Sequence, residues 1–142
     1  MNLGKMVNIF DNNHDGIIVN LGKQFDNLLI DVKIRYLAKK FDQTYELLKY
    51  KIINYKRLEL SVDEKHSYFD IDEIKKMQLT IINAEVGFNH SLLINVWNKT
   101  ITKGKLHIWS NYNNDIKIYD QSDNEMEYET FNAICRVNKI IG

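Results

Sequence analysis

Leu28-Leu29-Ile30-Asp31-Val32-Lys33-Ile34-Arg35-Tyr36 is the stretch that decides the fold. Leu28, Ile30, Val32, Ile34 and Tyr36 alternate with Leu29, Asp31, Lys33 and Arg35. In an extended chain successive side chains leave opposite faces, so this period of two marks a half-buried strand. Outward from it, residues 17–21 form a second strand candidate, and Leu58, Leu60 and Val62 alternate with Arg57, Glu59 and Ser61 as a third. Further apolar runs at 79–86, 92–97, 105–109 and 116–119 are punctuated by Gly87-Phe88-Asn89, Thr102-Lys103-Gly104 and Asn113-Asn114-Asp115. Strands recurring about every ten residues are the spacing of a sandwich, meander or partly closed barrel. Upstream, Asp11-Asn12-Asn13-His14-Asp15-Gly16 separates residues 6–10 from 17–21. An Asp-Gly turn between two apolar runs predicts a hairpin there.

Helical signals are fewer. Asp70 with Glu73 three residues later is a variant capping box, predicting about two turns over 70–77. Ser122 with Glu125 is a full capping-box match, and Tyr128, Phe131, Ile134 and Cys135 then share one helical face. Met126, Tyr128 and Thr130 also alternate with Glu125, Glu127 and Glu129, so residues 123–141 read as helix or strand, with a C-terminal helix favoured. Residues 41–55 carry both patterns: Phe41, Tyr45, Leu48, Ile52 and Tyr55 at helical spacing, Leu48, Tyr50 and Ile52 at strand spacing. The expected fold is α+β and predominantly β: antiparallel sheets as a sandwich or partly open barrel, with one or two short helices. With no internal repeat or linker, the 142 residues read as one domain, 1–142. A chain this long buries roughly 68–70 % of its unfolded surface, enough for a core without staples.

Composition narrows the function classes. Nineteen basic residues balance nineteen acidic ones, which argues against a DNA-coating protein whose affinity rests on excess positive charge. The single cysteine, Cys135, cannot form an intramolecular disulfide and fits a reducing compartment. Residues 1–10 fall short of a secretory apolar core, and no run approaches the roughly 18 apolar residues of a membrane helix. A cytoplasmic location is expected.

Three motifs bear on chemistry. Asp11-x-Asn13-x-Asp15-Gly16-x-Ile18 matches the first eight positions of a calcium loop, offering three side-chain oxygens and the Ile17 carbonyl. The twelfth position is Gly22 where a bidentate glutamate belongs, and position nine is Val19, so turn geometry accounts for the same residues. His14-Asp15 has no upstream histidine to complete a metal phosphohydrolase set, and His66, His90 and His107 are scattered singly. No phosphate loop, Gly-x-Ser-x-Gly elbow or Cys-x-x-Cys pair occurs. The expectation is a protein without catalytic residues, metal or cofactor.

Charge is segregated along the chain. From 33 to 57, Lys33, Arg35, Lys39, Lys40, Lys49, Lys51, Lys56 and Arg57 face only Asp42 and Glu46, with Tyr36, Tyr45, Tyr50 and Tyr55 between them. Basic residues interleaved with aromatics suit a single-strand nucleic-acid or small-ligand surface. From 115 to 129 the sign reverses: Asp115, Asp120, Asp123, Glu125, Glu127 and Glu129 oppose Lys117 alone. With Trp109 and Tyr112 as aromatic anchors beside it, such an acidic rim suits a basic protein partner. Solubility alone also explains both runs.

The order of the pieces resembles a known group. An His14-Asp15-Gly16 turn runs into 17–21 and a long alternating strand; Gly87-Phe88-Asn89-His90 follows, then Gly104-Lys105-Leu106-His107-Ile108 and Asp115-Ile116-Lys117-Ile118. This pattern, over residues 13–119, is similar to small β-rich immunity proteins found beside bacterial polymorphic toxins, including contact-dependent growth inhibition systems. The resemblance implies stoichiometric binding of one cognate toxin domain, commonly a nuclease, whose active site is blocked or distorted. It leaves His14-Asp15 a structural turn and does not reach the tail from Ser122. The contact set expected from the acidic rim and its aromatic anchors is Trp109, Tyr112, Asp115, Asp120, Asp123, Glu125, Glu127 and Glu129; the resemblance makes the partner a toxin domain, with no membrane and nucleic acid second.

Overall fold

A computed structural model describes residues 3–137, without the side chains of 111–114. Eight strands follow one another as β1 (Ile17–Gln24), β2 (Asn27–Lys33), β3 (Leu47–Val62), β4 (His66–Tyr68), β5 (Thr80–Val86), β6 (Leu92–Trp97), β7 (Gly104–Tyr119) and β8 (Glu125–Met126). Helices α1 (Leu3–Asp11), α2 (Arg35–Ala38), α3 (Ile71–Lys76) and α4 (Tyr128–Cys135) are interspersed. The spatial order is β4-β3-β2-β1-β5-β6-β7-β8, and β3 pairs also with β7, so strands β1, β2, β3, β7, β6 and β5 form a ring. Every pairing is antiparallel. The fold is the α+β, mainly β, partly open barrel that the strand spacing predicts.

Two long strands make the ring. The first half of β3 lies between β2 (Ile30↔Tyr50) and the end of β7 (Tyr50↔Ile118). Its second half lies between β4 (Ser61↔Ser67) and the start of β7 (Glu59↔His107). Each long strand therefore serves two five-stranded sheets. The change-over is irregular: β3 spends one residue, Asn54, between the partners of Asp115 and Ser110, and Asn54 takes a left-handed φ of 54°. Such a bulge bends a strand from one sheet into the next. The opposite seam is thin. β1 and β5 share the single pair Ile17↔Thr80, extended by Asp15 N–H to the Ile81 carbonyl (2.7 Å) and Ile18 N–H to the Leu79 carbonyl (2.8 Å).

Alternation fills the interior. Leu28, Ile30 and Val32 of β2, Leu48, Tyr50 and Ile52 of β3, Ile94 and Val96 of β6, and Leu106 and Ile108 of β7 all point inward and are buried. The segment 41–55 thus resolves as strand from Leu47 onward. Met6, Ile9 and Phe10 of α1 and Phe131 of α4 plug one end of this core. Phe10 tilts onto Tyr50 at 5.1 Å between ring centroids, and Phe131 meets Tyr50 edge-on at 6.2 Å.

Four local expectations are corrected. Residues 6–10 belong to helix α1, not a strand, because Leu3, Met6, Val7 and Phe10 recur at i, i+3, i+4 and i+7 and form one apolar stripe. The turn 11–16 therefore joins helix to strand, not strand to strand. The deciding strand stops at Lys33: Ile34, Leu37 and Ala38 are buried at helical spacing, and Tyr36 turns half out. Residues 105–109 and 116–119 are one strand, since the Asn-rich break bulges and does not end the ladder. The Ser122–Glu125 box does not start α4; Glu125 and Met126 pair with β7, and Glu127 is the N-cap. Helix α3 does start at its predicted cap, with the Asp70 carboxylate accepting Asp72 N–H at 3.1 Å.

Candidate functional site

The outer face of the sheet β5-β6-β7-β3-β4 carries an organised group of outward-facing side chains. Register places them in rows: Asn83, Asn95, Lys105, Ser61 and Ser67; then Glu85, Leu93, His107 and Glu59; then Trp109 and Arg57. In the first row Asn95 Nδ2 donates to Asn83 Oδ1 (2.7 Å) and to Glu85 Oε2 (2.8 Å), and a groove of about 390 Å³ runs between Asn83, Asn95, Lys105 and Ser61. Glu59 accepts from the Ser67 hydroxyl at 2.8 Å.

Above the lower rows the 87–91 loop folds back. Gly87 N–H donates to the Ser91 carbonyl (2.8 Å), and Asn89 and His90 both take left-handed φ, 53° and 57°. The bend lays Phe88 over the sheet, with ring centroids 4.7 Å from His107 and 5.4 Å from Trp109, while the ring itself stays 55 % exposed. Trp109 stacks on His107 at 5.4 Å, and the Arg57 guanidinium sits 4.1 Å over the indole. A cation held over an indole face gains roughly 0.5–2 kcal/mol, depending on desolvation. Gly87 is required here: a Cβ would run into the Ser91 hydroxyl and stand 3.0 Å from His107 Nδ1. Ser91 Oγ and His107 Nδ1 lie 3.0 Å apart, both residues buried. Burial pushes the His107 imidazolium below its ordinary range, with Lys105 acting the same way and Glu59 in opposition. The imidazole is therefore neutral at pH 7 and holds the loop through Ser91.

The expected contact residues are distributed differently from a free acidic rim. Trp109 is 8 % exposed, roofed by Arg57 and Phe88. Tyr112 is in β7, within the 111–114 stretch whose side chains lie outside the described residues. Asp115 Oδ1 accepts the adjacent Ile116 N–H at 2.8 Å. Asp120 caps a turn, accepting from Ser122 N–H (2.9 Å), Asn124 N–H (2.9 Å), Asn124 Nδ2 (3.1 Å) and the Tyr45 hydroxyl (3.4 Å). Burial raises its carboxyl, but the bonds from Asn124, Ser122 and Tyr45 outweigh it and hold the group below its ordinary value. Asp123 binds Lys49 at 2.8 Å, Glu125 lies 4.0 Å from Lys117, and Glu129 3.7 Å from Lys5. Glu127 is exposed at the start of α4.

The basic run meets the acidic one. β3 and the end of β7 are neighbours (Lys49↔Tyr119, Lys51↔Lys117), so charges segregated in sequence are mixed in space. Lys51 lies 5.6 Å over the Tyr119 ring, Arg35 binds Glu46 at 2.7 Å, and Lys40 donates to the Cys135 carbonyl at 3.0 Å. The tyrosines diverge as well: Tyr50 is buried, Tyr45 bonds Ser122 (2.9 Å), and Tyr36 donates to the His14 carbonyl (2.9 Å).

The calcium-like residues also part company. Asp11 Oδ1 accepts Ala84 N–H (3.2 Å), Asn13 turns inward to Tyr50, and Asp15 faces His14 (3.5 Å). Among the described residues no group of three His, Cys, Asp or Glu side chains is placed to hold a metal. No described helix is long and apolar enough to cross a membrane.

Sequence reasoning passed over Phe88 and placed Arg57 in a basic run. The legible signal was register: Arg57 and Trp109 each follow their strand's outward phase, which puts them opposite one another. The chain matches no family model, no curated protein and no solved structure.

Proposed function

We propose that the chain is a non-catalytic protein-binding module of the immunity type, which binds one cognate bacterial toxin domain stoichiometrically in the cytoplasm and blocks it. The observation that carries the reading is the platform on the outer sheet face. An exposed Phe88 is immobilised on His107 and Trp109, flanked by Arg57, with hydrogen-bonded polar residues around it. Tight interfaces concentrate their energy in aromatic and arginine anchors that are ordered before binding, ringed by polar groups that exclude water. The β-rich framework supports the reading because the resemblance to immunity proteins implies that kind of scaffold. The paired carboxylates Asp123, Glu125 and Glu129 contribute to steering more than to affinity, since exposed pairs are worth about 0–1 kcal/mol each.

The test is affinity capture of the tagged chain from a lysate of its source cells, followed by mass spectrometry and by co-expression with what is captured. One stoichiometric partner whose toxicity the chain relieves supports the reading. No partner from cells that contain a neighbouring toxin overturns it.

A further inference from the structure

On that same reading, the geometry points to an acidic segment of the partner protein as the occupant of the platform, with one carboxylate on the Arg57 guanidinium and an apolar side chain against Phe88. Arg57 is exposed, and its guanidinium has no carboxylate or carbonyl acceptor among the described residues; it sits 4.1 Å over the Trp109 ring. A guanidinium held over an indole keeps its N–H donors for other partners, and its planar fork binds a carboxylate through two parallel bonds. Beneath it Trp109 is more than nine-tenths buried, and its Nε1–H is itself buried and unpartnered. An anionic oxygen supplies the acceptor that the exposed Arg57 guanidinium lacks. Beside it, Phe88 is more than half exposed and offers the apolar contact.

The neighbours decide between anions. Glu59 and Glu85 stand in the adjoining row of the same face, and the chain carries no net charge. A phosphate backbone, with a charge at every step, would meet both carboxylates and find too little excess positive charge to release its counterions. A single carboxylate between apolar side chains meets Arg57 alone.

The test uses the full chain, isotope-labelled, titrated with a capped acidic hexapeptide containing one phenylalanine, with its Asn/Gln counterpart, and with a thymidine dodecamer. The acidic peptide is expected to shift the Arg57 Nε–H and Trp109 Nε1–H resonances saturably and to bind about ten-fold more tightly than the neutral one. Arg57→Gln is expected to abolish that preference at an unchanged melting temperature. Equal affinity for the two peptides, shifts confined to other residues, or tighter binding of the dodecamer would overturn the inference. Lysate capture is run in parallel with the wild type, Arg57→Gln and Phe88→Ala. Loss of the captured partner by both variants supports this face. Unchanged capture refutes the face and leaves protein binding standing, whereas no capture by any of the three refutes protein binding and the inference with it.

Discussion

Removing the Asn13 side chain should cost more than removing the Tyr50 hydroxyl, and removing both should cost no more than the first alone. Both residues are fully or almost fully buried. Asn13 Nδ2 donates to the Ile9 carbonyl at 2.8 Å and to the Tyr50 hydroxyl at 2.7 Å, and that hydroxyl donates back to Asn13 Oδ1 at 3.1 Å. The Ile9 carbonyl belongs to the last turn of α1, where the helix has no N–H of its own to offer. In Tyr50→Phe, Asn13 keeps Ile9 and loses the hydroxyl, for about 1–2 kcal/mol. In Asn13→Ala, both the Ile9 carbonyl and a phenol deep in the core are left unpaired, for about 2–6 kcal/mol at 1–3 kcal/mol per orphaned group. The double variant has no phenol to orphan, so it costs no more than Asn13→Ala and the cycle yields a coupling of at least the Tyr50→Phe cost, about 1–2 kcal/mol. Urea unfolding at constant slope measures all four corners. A Tyr50→Phe cost below about 0.5 kcal/mol, or additive single costs, would show that the pair does not hold α1 to the barrel.

Gly16→Ala should destabilise by about 1–3 kcal/mol, because its Cβ would stand 2.6 Å from Val32 Cγ1 and 2.9 Å from the Asn13 carbonyl; thermal melting checks it. Stability should fall as pH drops below the ordinary histidine value of 6.5, since His107 is held lower in the native state and the unfolded chain takes up the proton first; His107→Asn should flatten that slope in denaturation curves between pH 5 and 7. Burial raises the Cys135 thiol to about 11, so native-state labelling by iodoacetamide at pH 8 should be more than about ten-fold slower than in urea. Reversing Asp123 and Glu125 to lysine should change stability by under about 1 kcal/mol, whereas Asp120→Lys should cost more because it strips a turn of four bonds; chemical denaturation separates the two.

The strands were legible wherever one face is buried. Leu28, Ile30 and Val32, and likewise Leu58, Leu60 and Val62, each write their phase into the sequence because the barrel wall has an inside and an outside. Helix α1 was misread because Met6 to Phe10 is short and dense in apolar residues, and the Asp15-Gly16 pair beside it imitates a hairpin turn. Its stripe emerges only when Leu3 is counted. The site was less legible than the fold. Lys49 and Asp123 are 74 residues apart, and nothing local announces that β3 and β7 will lie side by side and mix the two charge runs. Register across a ring is a property of the closed structure. The Phe88 platform depends on it too, since Arg57 and Trp109 meet only once that ladder has formed.

That shared ladder also has a kinetic side. Its register pairs span from 42 residues (Val62↔Gly104) to 70 residues (Lys49↔Tyr119), so the pairings that unite the two sheets are among the most distant strand pairings of the described residues. Chains dominated by such pairings fold in roughly milliseconds to seconds, because closure entropy is lost before the ladder returns any stability. During synthesis β3 emerges long before β7, and a sixteen-residue strand waits with one edge open. Lys49, Lys51, Lys56 and Arg57 lie along that waiting strand, and like charges so placed oppose edge-to-edge pairing of two nascent copies.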